Sequence, residues 1–273
     1  MISKKNNHMD KNPVTIVTAF FDIERDKRGD GRTIDEYKEW MKTTLQLNCN
    51  LFIVTEPKFH DFFLENRPKH YNTYIHVMEF KELHYYEYID RMRTIMNLPE
   101  YKSRIMHPNR IECNLPEYCI IQYSKFHCLQ VAMKIDKFQS EYFFWMDAGC
   151  SRFFLDVDIT KNYPSKNAIE HIRSCENQFI IQKRHDLEYY NIDENFVWKS
   201  DNLLSGGMFG GNKMIVTKIG QLVEEIFVQQ MLQNNNVNNE QLALAIVWKK
   251  NPELFQLTNN MNYHLMLFKL LAV

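Results

Sequence analysis

The chain has 273 residues, 45% of them hydrophobic and 14% aromatic, with a formal net charge of −1. Such a chain can bury one large core, and its balanced charge excludes the strong positive field of a nucleic-acid binder. The polar start MISKKNNHMDKN has no apolar signal region, and no later run reaches the ~18 apolar residues of a membrane span, so a soluble cytoplasmic protein is expected.

The first dozen residues read as a disordered leader, and 13–273 as one domain. Val14 to Phe21, β-branched and aromatic without interruption, predicts a strand buried on both faces near the centre of a parallel sheet. After the polar, glycine-bearing DIERDKRGDGR, Thr33-Ile34-Asp35-Glu36 is a capping box opening a helix with Ile34, Tyr37, Trp40, Met41, Thr44 and Leu45 on its apolar face. Leu51 to Thr55 predicts a second strand. Pro57 then opens a helix carrying Phe59, Phe62 and Phe63, which Arg67-Pro68 closes.

Tyr74 to Met78 reads as a third strand, and Leu83, Tyr86, Ile89, Met92 and Met96 mark a helical face. The stretch from Leu98 to Pro116, punctuated by proline and asparagine, reads as a long functional loop. A helix from about Glu117 to Phe138 leads into the strand Tyr142 to Met146, which ends at Asp147. Further on, Phe179-Ile180-Ile181 and Met208-Phe209 read as short strands, and Met214 to Leu232 and Glu240 to Lys249 as helices. This alternation predicts an α/β class, a single Rossmann-like domain with a mainly parallel central sheet, and ligands at the carboxyl ends of its strands.

Asp147 lies at such an end. A carboxylate leaving a buried aromatic strand, followed by Ala148-Gly149, suits a hard cation such as Mg²⁺ or Mn²⁺, while the small neighbours admit a phosphate or sugar. It equally suits a turn cap with Gly149 supplying the backbone freedom. Ser205-Gly206-Gly207-Met208-Phe209-Gly210-Gly211 holds four of the eight glycines in the chain. It matches neither a Walker loop nor G-x-G-x-x-G, and reads either as a bulged hairpin or as the wall of a binding site.

Glu240 opens an apolar helix, where it favours the macrodipole or, facing a pocket, serves as a general base. Lys125, His127 and Arg184 are candidates for neutralising a diphosphate, each with a solvated-residue alternative. His264 acquires interest only if the fold brings it to Asp147. Six cysteines without a CxxC pair read as reduced thiols. There is no G-x-S-x-G elbow, no HExxH and no Cys–His spacing that supports a catalytic pair.

The set TIVTAFFDI, FFWMDAGCSRF, SGGMFGG and NNEQLAL, in that order from Val14 to His264, resembles the HtrL/YibB family, proteins with a glycosyltransferase A-type fold. The resemblance implies a metal-dependent glycosyltransferase moving a sugar from a nucleotide-diphosphate donor, with UDP the first choice, to the hydroxyl of an unknown glycan, lipid-linked or protein acceptor. It implies a nucleotide site at Thr18, Ala19 and Phe20, for which Lys125, His127 and Arg184 remain the basic candidates read from the residues themselves. Asp147 falls at the metal-binding D-x-D position and His264 at the late histidine that completes a Mn or Mg shell. Gly206, Gly207, Gly210 and the base Glu240 fall on the acceptor side. Gly149 stands where the second carboxylate of D-x-D is expected. A nucleotidyltransferase, or a degenerate nucleotide-binding or assembly module, are the alternatives that the same residues allow.

Overall fold

A computed structural model describes residues 11–154, 156–259 and 266–273. The strands are β1 (Val14–Phe20), β2 (Asn50–Thr55), β3 (Thr73–Val77), β4 (Tyr142–Met146), β5 (Phe179–Lys183), β6 (Leu204–Asn212) and β7 (Phe255–Asn259). The α-helices are α1 (Arg25–Arg28), α2 (Ile34–Thr44), α3 (His60–Asn66), α4 (Ile89–Met96), α5 (Pro99–Arg104), α6 (Pro116–Ile135), α7 (Lys166–Ser174), α8 (Lys213–Glu225), α9 (Glu240–Lys250) and α10 (Met266–Ala272).

The strands form one seven-stranded sheet in the order β3-β2-β1-β4-β6-β5-β7. β1 pairs in parallel with β2 and with β4, and β2 with β3. β6 is antiparallel to both β4 and β5, whereas β5 and β7 are parallel, so β6 alone runs against the rest. The sequence advances from β1 to β2 and β3 on one side, then crosses back to place β4 on the other. That reversal opens a crevice at the carboxyl ends of β1 and β4, where open α/β sheets place ligands.

Every residue of β1 and β4 is buried, because helices cover both faces and the β-branched and aromatic residues have two cores to fill. Val17, Ala19, Phe143 and Trp145 point into the core built with α4, α5, α6, α8 and α9. Val14, Ile16, Phe20, Phe144 and Met146 point into the opposite core, with α2, α3, α7 and α10. Burial of each large apolar side chain is worth about 1.5–3 kcal/mol, so these two strands anchor both cores.

The Thr33 cap forms as expected, with Glu36 N–H donating to its hydroxyl and Glu36 reaching back to Thr33 N. Two expectations are corrected. The stretch after Leu98 is not an open loop: α5 and a short 3-10 turn at Ile111–Cys113 bury Tyr101, Ile105, Cys113 and Leu115 in the core. Proline marks the start of α5 rather than a gap between elements. The long helix expected to Leu232 changes at Ile226–Met231 into a π-helical turn. α7 gave little signal because it buries only Ala168 and Ile172.

Candidate functional site

The crevice is lined from β1 and the segment after it by Ala19, Phe20, Phe21, Asp22, Ile23, Arg25 and Arg32. α2 adds Ile34 and Tyr37, and the end of β4 adds Trp145, Asp147, Ala148, Gly149 and Arg152. α6 contributes Tyr118, Ile121, Gln122 and Lys125, spaced three and four residues apart and so on one helix face. Four cations and several aromatic rings thus meet around one opening.

At its floor Lys125 is surrounded by oxygen. Its Nζ donates to Glu240 Oε1 at 2.7 Å and to the Gly206 carbonyl at 2.9 Å, and pairs with Asp147 Oδ1 at 3.1 Å. Trp145 Nε1 also donates to Asp147 Oδ1, at 2.6 Å. Asp147 and Trp145 are two residues apart at the strand end and share a face, which is why the indole reaches the carboxylate. The Asp147 N–H donates to Gly207 O at 2.9 Å, so the turn continues the β4–β6 pairing and holds its aspartate in place.

The two carboxylates differ in access. Asp147 keeps 42% of its side chain exposed, whereas Glu240 has 0%. Burial pushes the Glu240 carboxyl above its usual range, opposed by the ammonium of Lys125. Among the described residues its Oε2 finds no hydrogen-bond partner, in keeping with that shift. For Lys125 burial works downward, but the charges of Asp147 and Glu240 outweigh it and hold the ammonium raised and protonated. Asn239 caps α9 by accepting from Gln241 N, which fixes Glu240 at the first turn and aims it at Lys125.

The glycine-rich strand is explained by this packing. A Cβ on Gly206 would overlap Glu240 Oε1, and one on Gly210 would overlap the Phe143 carbonyl and the Phe144 ring. Gly206 and Gly210 therefore let α9 and β4 approach β6, and neither is among the residues lining the crevice. Gly207 offers its carbonyl to Asp147 and to the Cys150 thiol.

Of the expected nucleotide residues, Ala19, Phe20 and Lys125 line the crevice. Thr18 is fully buried inside β1, its hydroxyl without a partner among the described residues. His127 faces away, accepting from His84 N at 3.4 Å, and burial together with His84 and His76 lowers its pKa. Arg184 follows β5, where its N–H donates to Leu203 O, and burial and the nearby Arg110 depress its guanidinium. His264 lies outside the described residues.

Arg25, Arg32, Tyr37, Tyr118 and Arg152 were not read as site residues. Arg25 donates to both oxygens of Asp30 at 2.6 and 2.7 Å and to Tyr37 Oη at 2.6 Å, and lies 4.6 Å from the Tyr118 ring centre. The available signal was DIERDKRGDGR directly after the central strand, and the arginine in DAGCSRF.

A divalent cation prefers six or more oxygen ligands. Among the described residues no group of three His, Cys, Asp or Glu side chains converges to hold one. Of the two carboxylates lining the crevice, Asp147 already places Oδ1 against an ammonium and an indole N–H, and Asp22 accepts from Glu24 N–H and from Lys58 Nζ. The described donor set does not fit a resident divalent ion.

Fold and crevice define an α/β protein with an aromatic-walled crevice, lined by four cations and two carboxylates, at a strand-order reversal. The chain belongs to the HtrL/YibB family, whose sequence profile, described as a bacterial protein of unknown function, matches residues 12–272. No curated protein matches it. Among solved structures it is similar to a glycosyltransferase involved in the glycosylation of the major capsid of PBCV-1, with 16% identity, 90% of this chain and 81% of that one covered, and a TM-score of 0.37. All six cysteines are buried free thiols, and no helix among the described residues is long and apolar enough to cross a membrane.

Proposed function

We propose that the protein is a glycosyltransferase that binds a nucleotide-diphosphate sugar, with UDP as the first nucleotide to test, in the crevice between β1 and β4. One observation carries this reading: the strand-order reversal gathers Arg25, Arg32, Lys125 and Arg152 beside aromatic rings, around the partly exposed carboxylate of Asp147. Rings accommodate a base by stacking, and cations accommodate a diphosphate. Gln122 adds a buried carboxamide oxygen in the crevice wall that has no partner among the described residues.

In glycosyl transfer negative charge grows on the departing diphosphate, and fixed cations stabilise it without reorganising at the moment of reaction. Lys125 is fixed by two carboxylates and a carbonyl. Glu240, sealed behind it, is given a positioning role rather than contact with the acceptor. Asp147 is the more exposed of the two crevice carboxylates, and we assign it the orientation or deprotonation of an incoming hydroxyl.

A panel of nucleotide sugars tests the reading. We expect one donor to be hydrolysed or transferred, with turnover lost in Asp147→Ala. No binding and no turnover across the panel would sink it. Pyrophosphate released from a nucleoside triphosphate would instead identify a nucleotidyltransferase. Binding without turnover would identify an assembly or binding module.

A further inference from the structure

We propose that Arg152 meets the donor diphosphate where a second metal-ligating carboxylate would otherwise stand, so that nucleotide binding in this crevice needs no divalent ion. This inference rests on the function proposed above. Arg152 lies on the 3-10 turn Cys150–Phe153 that follows the Asp147-Ala148-Gly149 bend. Its Nε donates to the Gly149 carbonyl at 2.9 Å, and its guanidinium carbon stands 4.4 Å from the Trp40 ring centre. Ser151 Oγ donates to Trp40 O at 2.6 Å and ties the same turn to α2. A long side chain at the crevice mouth is thereby held by a hydrogen bond and a ring.

Gly149 explains why a guanidinium occupies this place. A Cβ there would lie 3.1 Å from Arg152 Nη2. A side chain at position 149 would therefore press on the guanidinium, which would have to give by a few tenths of an ångström. The other cations are committed: Arg25 to Asp30, Lys125 to Asp147 and Glu240, and Arg32 to Asp30 at 3.6 Å. Among the described residues Arg152 pairs with no carboxylate. A planar guanidinium whose Nε is held by Gly149 and whose Nη1/Nη2 edge meets no carboxylate among the described residues, stacked and so preorganised, matches the paired oxygens of a phosphate.

Calorimetry on the full chain decides it, with UDP, other nucleoside diphosphates and uridine as probes, each in EDTA and again with Mn²⁺. We expect a nucleoside diphosphate to bind in EDTA, with Mn²⁺ changing the affinity by less than about threefold. Arg152→Ala should weaken diphosphate binding by about tenfold or more, the scale of a charge-assisted hydrogen bond. It should leave the weak binding of the uncharged nucleoside and the melting temperature unchanged, and Arg152→Lys should recover part of the loss. Diphosphate binding that appears only with Mn²⁺, or that is indifferent to Arg152→Ala, overturns this inference while leaving the nucleotide site intact. Failure of every nucleoside diphosphate to bind under both conditions overturns the site reading itself, and this inference with it.

Discussion

Lys125 has two sides, and they are built for different purposes. On the open side, Asp147 and Arg152 face the crevice on a short turn, with solvent within reach. On the sealed side, Glu240, Gly206 and the first turn of α9 close over the ammonium without exposed surface on the carboxylate. A change on the sealed side leaves a charge where water cannot follow, and so strikes the fold. A change on the open side leaves a charge that water can solvate, and so strikes only what binds there.

The largest effect should come from removing the residue that both sides share. Lys125→Met leaves Glu240 buried with no cation, a loss of about 3–5 kcal/mol by analogy with other broken buried pairs. The pH dependence follows from sign. The Glu240 carboxyl is already raised by burial above its reference value of 4.5, and without Lys125 nothing comparable opposes that rise. The folded variant then keeps a proton that the unfolded chain releases, so stability falls as pH climbs above about 4.5, by up to about 1.4 kcal/mol per unit. In the parent chain the raised Lys125 contributes stability fully present below 10.5 and lost as pH rises beyond the ordinary lysine range. Urea titrations from pH 5 to 9 read the slope, and equal slopes for variant and parent would break the comparison. Adding Glu240→Met to Lys125→Met should restore much of the loss, since an apolar pair needs no compensation.

These two sides were unequally legible in the sequence. The open side announced itself through long apolar runs: Val14 to Phe20 and Tyr142 to Met146 could only be central strands, and Asp147 follows directly on one of them. The sealed side was misread because glycine carries two meanings. Gly206 and Gly210 were candidates for a binding wall, but the room they leave is filled by Glu240 and by the β4 backbone. Only the antiparallel pairing of β6 against β4 reveals this, and no local pattern encodes a partner strand some sixty residues away. Arg25 and Arg152 were missed for a related reason. A charged residue in a polar stretch looks solvated until a distant aromatic ring is found beneath it, as Trp40 is beneath Arg152.

Gly206→Ala tests the sealed side without altering charge. The added methyl overlaps Glu240 Oε1, and its neighbours cannot yield, because Lys125 and the α9 cap hold them. Overpacking of this kind costs about 1–3 kcal/mol, read as a lower urea midpoint with an unchanged slope. A variant as stable as the parent would show that α9 shifts freely and that the seal is loose.

Gly149→Ala is the matched change on the open side, and here the expected loss of stability is smallest, within about 0.5 kcal/mol. Gly149 has φ −89°, which alanine adopts without strain. Its new methyl would meet only the end of the Arg152 side chain, which can swing toward solvent. What the swing disturbs is the hold on the guanidinium, so diphosphate affinity should fall several-fold while the melting temperature stays put. Paired with Gly206→Ala, this separates the two sides by a single methyl group: one variant loses stability and keeps its intrinsic affinity, the other keeps stability and loses affinity. If both lost stability alike, the Asp147-Ala148-Gly149 turn would belong to the packed interior after all, and the crevice would have no independently adjustable edge.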